Sequence, residues 1–160
     1  MDSHEHFEKY LNLSYHFLSI RNRSEKEMRD FLTRKNAAVE IIEDVIKHLK
    51  EHNFLNDETF ARSFVLSQVR LKPKGSVLLK IELRQKGIAD AIIQNVLAEV
   101  QEEIPDELSQ AKSLIAKKME RMKGASRNEI YSKIGGFLSR RGFSWNIVKK
   151  AIDETLQENN

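Results

Sequence analysis

The sequence contains no cysteine, only two prolines and six glycines in 160 residues, and a single tryptophan. Without cysteine there is no disulfide framework, no thiolate metal site and no thiol nucleophile, which suits a reducing compartment. Scarce proline and glycine leave long stretches with nothing to interrupt a helix. No apolar run is long enough to span a bilayer, and the acidic, amphipathic start MDSHEHFEKYLNLSYHFL lacks the basic flank and continuous apolar core of a signal peptide. The expectation is a cytoplasmic protein with no membrane contact. Metal and phosphate motifs are equally thin. His48 and His52 stand four apart, but HLKEH does not place its glutamate as HExxH requires, and KPKGS at 72–76 lacks the leading glycine and Gly-Lys-Ser order of a P-loop. No nucleophile elbow occurs, and the carboxylates fall mostly on polar helix faces. The sequence therefore predicts a protein that is not an enzyme and needs neither metal nor cofactor. His4 and His6 fall in a terminus expected to fray.

What is present is a phrase written three times. FLTRKNAAVEIIEDVI from Phe31, ELRQKGIADAIIQNVL from Glu82 and FLSRRGFSWNIVKKAI from Phe137 align on Asn36, Gly87 and Gly142. Apolar residues then fall into columns: Met28, Leu79 and Ile134; Leu32, Leu83 and Leu138; Ile41, Ile92 and Ile147; Ile42, Ile93 and Val148; Val45, Val96 and Ala151; Ile46, Leu97 and Ile152. Spacings of three and four within each copy describe two amphipathic helices joined by a tight turn. Asn36, Gly87 and Gly142 sit where a helix C-terminus takes positive φ. Ser24 with Glu27, and Ser126 with Glu129, have capping-box spacing at the start of the middle helices.

Each copy has room for a leading helix, over Tyr10–Ile20, Glu58–Val69 and Leu108–Met122. Tyr15, Phe17 and Leu18 supply bulk to the first, and Phe60, Phe64 and Val65 to the second. No apolar–polar alternation of the strand type appears. The expected fold is all-α, three tandem three-helix, helix-turn-helix-like repeats over residues 1–56 (with a short N-terminal extension), 57–104 and 105–160. A unit of about 50 residues buries too little apolar surface alone, so the repeats should stack as an elongated array that small rotations between neighbours would curve.

Charge is segregated along the chain. Residues 61–90 carry 7 basic and 2 acidic side chains, 91–110 carry 5 acids and no base, and 111–150 carry 11 bases and 2 acids. Lys35, Lys86 and Arg141 share the column before the turn, where a cation favours the negative end of the helix dipole. Lys86 and Arg141, with the surplus around them, are assigned to a binding surface for a polyanion or an acidic protein: Lys72, Lys74, Lys80, Arg84 and Lys86 in the second copy, and Arg127, Lys133, Arg140, Arg141, Lys149 and Lys150 in the third. Trp145, beside Phe143 at a helix start, is expected to pack against a neighbouring helix rather than to stack on a base.

NFLNDETFARSFV at 53–65, KGSVLLKIELRQKGI at 74–88 and FLSRRGFSWNIVKKAI at 137–152 resemble the RecX family of bacterial recombinase regulators, in the same order and nearly the same spacing. The resemblance covers about residues 10–156. It implies a non-enzymatic modulator of RecA, made of three three-helix units and lying in the groove of the RecA filament on single-stranded DNA. The usual outcome in that family is inhibition: less filament extension, ATP hydrolysis, strand exchange and stimulation of repressor self-cleavage. A monomer is expected, with weak binding of single-stranded DNA outside the filament. The competing class is a helix-turn-helix-like DNA-binding protein acting without RecA. Against it, the third helix of the first copy carries Glu40, Glu43 and Asp44, which would face phosphates. A general helical-repeat scaffold is the remaining alternative.

Overall fold

Residues 2–160 are described by a computed structural model. Among them nine α-helices and no strand occur: α1 Ser3–Ile20, α2 Glu25–Arg34, α3 Val39–Glu51, α4 Asp57–Leu71, α5 Ser76–Gln85, α6 Asp90–Val100, α7 Glu107–Arg121, α8 Arg127–Arg140 and α9 Trp145–Glu158. They form three tandem three-helix repeats, as the triplicated phrase predicts. The turn residues take the left-handed conformation expected of them, with φ of 63° at Asn36, 79° at Gly87 and 88° at Gly142. Asn36 can do this because its short polar side chain tolerates that region better than other non-glycine residues.

The leading helix of the first repeat starts earlier than the sequence reading placed it. Asp2 and Glu5 form a reciprocal capping box, Asp2 accepting the Glu5 amide and Glu5 the Asp2 amide, so His4 and His6 lie inside a capped helix rather than a frayed end. Ser24 and Glu27 form the capping box their spacing predicts. Ser126 accepts the Glu129 amide, but the returning bond from Glu129 is not made, so this cap is half a box.

Two compact units are distinguished by their internal contacts: Met1–Ala61 with Leu83–Ile93, and Arg62–Glu82 with Gln94–Asn160. The first is built on Tyr10 and Leu11 of α1, Met28 and Leu32 of α2, and Ile41, Ile42, Val45, Ile46 and Leu49 of α3. Tyr15, Phe17 and Leu18, the bulky residues of the leading helix, pack half-buried against this core, while α1 turns Tyr10, Leu11 and Ser14 fully inward. The second unit is centred on Ala111, Ile115 and Met119 of α7, Ile130, Ile134 and Leu138 of α8, and Val148, Ala151 and Ile152 of α9. Leu32, Leu83 and Leu138, one column of the repeat, are each completely buried. Burial on that scale is worth about 1.5–3 kcal/mol per leucine, which explains why that column holds leucine in all three copies.

Candidate functional site

The turn of each later repeat docks on the start of a middle helix, and these two joints organise the charged side chains around them. In the second unit the joint is made by backbone. The Gly75 amide donates to the Arg141 carbonyl at 2.8 Å, and the Val77 amide donates to the Gly142 carbonyl at 3.2 Å. A Cβ on Gly75 would stand 2.2 Å from the Gly142 oxygen, and one on Gly142 would stand 2.2 Å from the Leu78 Cβ. The Arg141 guanidinium closes the joint, donating from Nε and Nη2 to the Pro73 carbonyl at 3.2 and 2.8 Å and from Nη2 to the Lys72 carbonyl at 2.8 Å. Glu107 accepts the Ser76 amide at the same helix start. The Lys-Pro-Lys-Gly-Ser stretch is thus a close backbone contact, which is why it needs glycine at 75.

In the first unit the joint is ionic. Gly87 lies against Lys26, where a Cβ would come within 2.6 Å of the Lys26 Cβ. Beside it Lys86 donates to Glu27 at 2.8 Å, Arg21 bonds the same carboxylate at 2.9 Å, and the Ser24 amide donates to it at 3.1 Å. Burial opposes ionisation of Glu27, but the bonds from Arg21, Lys86 and the Ser24 amide outweigh it and hold the pKa at about 2. Asp57, at the start of α4, accepts the Glu25 amide at 2.9 Å, and burial raises its pKa despite that bond and Lys50 nearby.

A carboxylate held below its unfolded pKa stabilises the fold above the unfolded value, and the contribution is lost as pH falls through the folded one. For Glu27 that window runs from 4.5 down to about 2. Glu27→Gln is therefore expected to lower stability by about 2 kcal/mol at neutral pH, after allowing for partial solvent screening, and by progressively less below pH 4.5. Denaturant midpoints of the two proteins across that range measure it; parallel curves would mean that Glu27 is not the group responsible.

The candidate cations divide into two sets. Lys74 pairs with Glu82 at 2.8 Å, Arg84 with Asp90 at 2.7 Å, Lys86 with Glu27, and Arg127 with Asp153 at 2.8 Å, while Arg141 is spent on carbonyls. These five have partners within their own unit. For Lys86 and Arg141 this revises the assumption that their charge is uncommitted, since the helix dipole is the smaller part of what holds them. Lys72, Lys80, Lys133, Arg140, Lys149 and Lys150 make none of the ion pairs seen among the described residues. Lys80 borders a groove of about 680 Å³ walled by Val65, Val69, Leu97 and Ile104. Lys72 instead reaches the ring of Phe137, with Nζ 5.7 Å from its centroid, and Lys118 of α7 approaches the same ring at 4.4 Å. Lys118 escapes a reading of the repeat because it lies on a leading helix, outside the aligned columns.

Trp145 is 57% exposed and leans on Tyr131, with ring centroids 6.2 Å apart, and on Gly135. It packs as expected, though only by one side. His48 and His52 stack at 4.1 Å, His48 Nε2 sharing a hydrogen bond with the Tyr15 hydroxyl at 3.2 Å and His52 Nδ1 one with the His48 carbonyl at 2.8 Å. No group of three metal-ligating side chains is found among the described residues, and none of their helices is long and apolar enough to cross a membrane.

Three tandem three-helix repeats, joined turn to helix and bearing exposed cations on the later repeats, define an all-helical repeat protein. The first, second and third three-helix domains of RecX match residues 11–49, 56–97 and 105–152. The chain belongs to the RecX family. It is 36% identical over 148 residues to the regulatory protein RecX of Prosthecochloris aestuarii, covering 92% of this chain and 94% of that protein. It is also 36% identical over 138 residues to the RecX of Bacillus pumilus, covering 86% of this chain and 52% of that one. The chain thus spans about half the length of the Bacillus pumilus relative and nearly all of the Prosthecochloris one. The crystal structure of RecX from Lactobacillus salivarius superposes with a TM-score of 0.84 at 26% identity, over 94% of this chain and 97% of that one. Membership of a family of regulatory proteins agrees with the expectation of a chain that is not an enzyme.

Proposed function

We propose that this chain modulates RecA without catalysing a reaction, binding the filament that RecA forms on single-stranded DNA and limiting its extension, ATP hydrolysis, strand exchange and coprotease activity. The observation that carries the proposal is family membership over nearly the whole chain. The physical setting supports it. Several small repeats in one chain can each touch a protomer of a polymer, each further contact acting at high effective concentration. The exposed, unpaired cations of the second and third repeats can meet filament DNA or acidic patches of RecA. The protein would act as a cytoplasmic monomer.

Recognition of duplex sequence is disfavoured by the first repeat, whose third helix exposes Glu40, Glu43 and Asp44. Titrating the protein into RecA hydrolysing ATP on single-stranded DNA tests partner and sign of effect together. Hydrolysis is expected to fall as the protein approaches the concentration of filament. Unchanged hydrolysis, with tight and sequence-selective duplex binding in RecA's absence, would replace this reading by the helix-turn-helix one.

A further inference from the structure

Lys72, just after α4, and Lys118 from α7 converge on Phe137 of α8, and Arg140 follows that ring three residues further along the same helix, all within the second compact unit. The two ammonium groups approach one ring, at 5.7 and 4.4 Å from its centroid. Arg140 folds back along its own helix, its Nη1 standing 3.1 Å from where a Cβ on Gly136 would be, so the missing side chain there makes room for the guanidinium. Arg141 grips the Lys72 carbonyl and so fixes the backbone from which Lys72 extends. None of the three cations makes any of the ion pairs seen among the described residues, whereas Lys74, Lys112 and Arg127 of the same unit each have a carboxylate.

Like charges gathered at a half-buried apolar ring repel one another, and a bound anion relieves that repulsion. Lysine ammonium groups act as point charges toward phosphate, and a nucleic-acid strand supplies one phosphate per roughly 3.4 Å of its axis, close enough for neighbouring cations each to find one. An aromatic ring set among cations is the combination that holds single strands without regard to sequence. We propose that Lys72 and Lys118 at Phe137, with Arg140 beside Gly136 on the same helix, form a phosphodiester-binding site that holds a single strand of nucleic acid. This deepens the function proposed above by locating its strand contact. The test uses no RecA, so either reading can fail alone.

Fluorescence anisotropy of labelled oligo-dT at two salt concentrations provides the test, on variants whose folding is first confirmed by circular dichroism. The triple variant Lys72→Glu, Lys118→Glu, Arg140→Glu is expected to bind at least about tenfold more weakly and to flatten the log–log salt dependence by about 2, the change for three lost phosphate contacts. Phe137→Leu leaves the charge unchanged but removes the seat of the two ammonium groups, and is expected to weaken binding several-fold. The equal reversal Lys9→Glu, Arg34→Glu, Lys47→Glu in the first unit is expected to change it by less than about twofold. The proposal is overturned if that control loses as much as the triple variant, since bulk charge would then explain binding, or if folded Phe137→Leu binds like the parent. It is overturned equally if polyglutamate displaces the strand as readily as unlabelled oligo-dT, because the site would then serve acidic proteins.

Discussion

Gly142→Ala is expected to destabilise the protein by more than about 4 kcal/mol, and Gly124→Ala by only about 1 kcal/mol, although both residues have φ of 88°. The shared backbone conformation sets a common cost of about 1–2 kcal/mol for an L side chain in the left-handed region. Surroundings make the difference. A Cβ at Gly124 meets nothing within 4 Å, whereas one at Gly142 would lie 2.2 Å from the Leu78 Cβ and 2.6 Å from the Leu78 amide nitrogen. Backbone cannot rotate aside as a side-chain tip can, so the joint must open. Opening it breaks the Gly75-to-Arg141 and Val77-to-Gly142 bonds and uncouples the Arg141 guanidinium from Pro73 and Lys72. Urea titrations followed by Trp145 fluorescence, the one tryptophan and a reporter of the second unit, would separate the two substitutions. Equal midpoints for the two variants would show that the joint is looser than its geometry implies.

That contrast also marks what the sequence reveals. The helices and their turns are legible because their causes are local: columns of apolar residues at three- and four-residue spacing, and Asn36, Gly87 and Gly142 at helix ends. Even the early start of α1 is written in the Asp2–Glu5 spacing, a capping box that uses aspartate where serine marks the other two. The joints are not legible in that way. Gly75 reads as one more turn glycine until the Gly142 carbonyl is found against it, and Arg141 reads as a dipole-favoured cation until its guanidinium is traced to a carbonyl 68 residues away in sequence. The same holds for the proposed binding surface. A basic block in sequence cannot distinguish Lys86, which neutralises a half-buried Glu27, from Arg140, which makes none of the ion pairs seen among the described residues. It also misses Lys118, which joins Lys72 only through the ring of Phe137.

The cations should therefore separate into two functional classes under charge reversal. Arg141→Glu sets a carboxylate against the Lys72 and Pro73 carbonyls and removes three charge-assisted bonds, an expected loss of about 2–4 kcal/mol of stability. Lys86→Glu places a second carboxylate beside Glu27, and its cost is likewise paid by the fold. By contrast Lys133, Arg140, Lys149 and Lys150 are exposed and make none of the ion pairs seen among the described residues. Reversing these four is expected to shift stability by less than about 0.5 kcal/mol per site while weakening the effect on RecA at least about tenfold, because each exchanges attraction to a charged filament for repulsion. Four exposed acids away from these cations, Glu40 and Asp44 on α3, Glu58 on α4 and Glu102 in the turn after α6, changed to lysine, make the matched control and should leave the RecA effect in place. RecA ATP hydrolysis, measured beside a thermal melt for every variant, reads both axes at once. A folded quadruple variant that still slows hydrolysis as the parent does would move the RecA contact away from these cations, and the leading helices α1, α4 and α7 would be the next surfaces to alter.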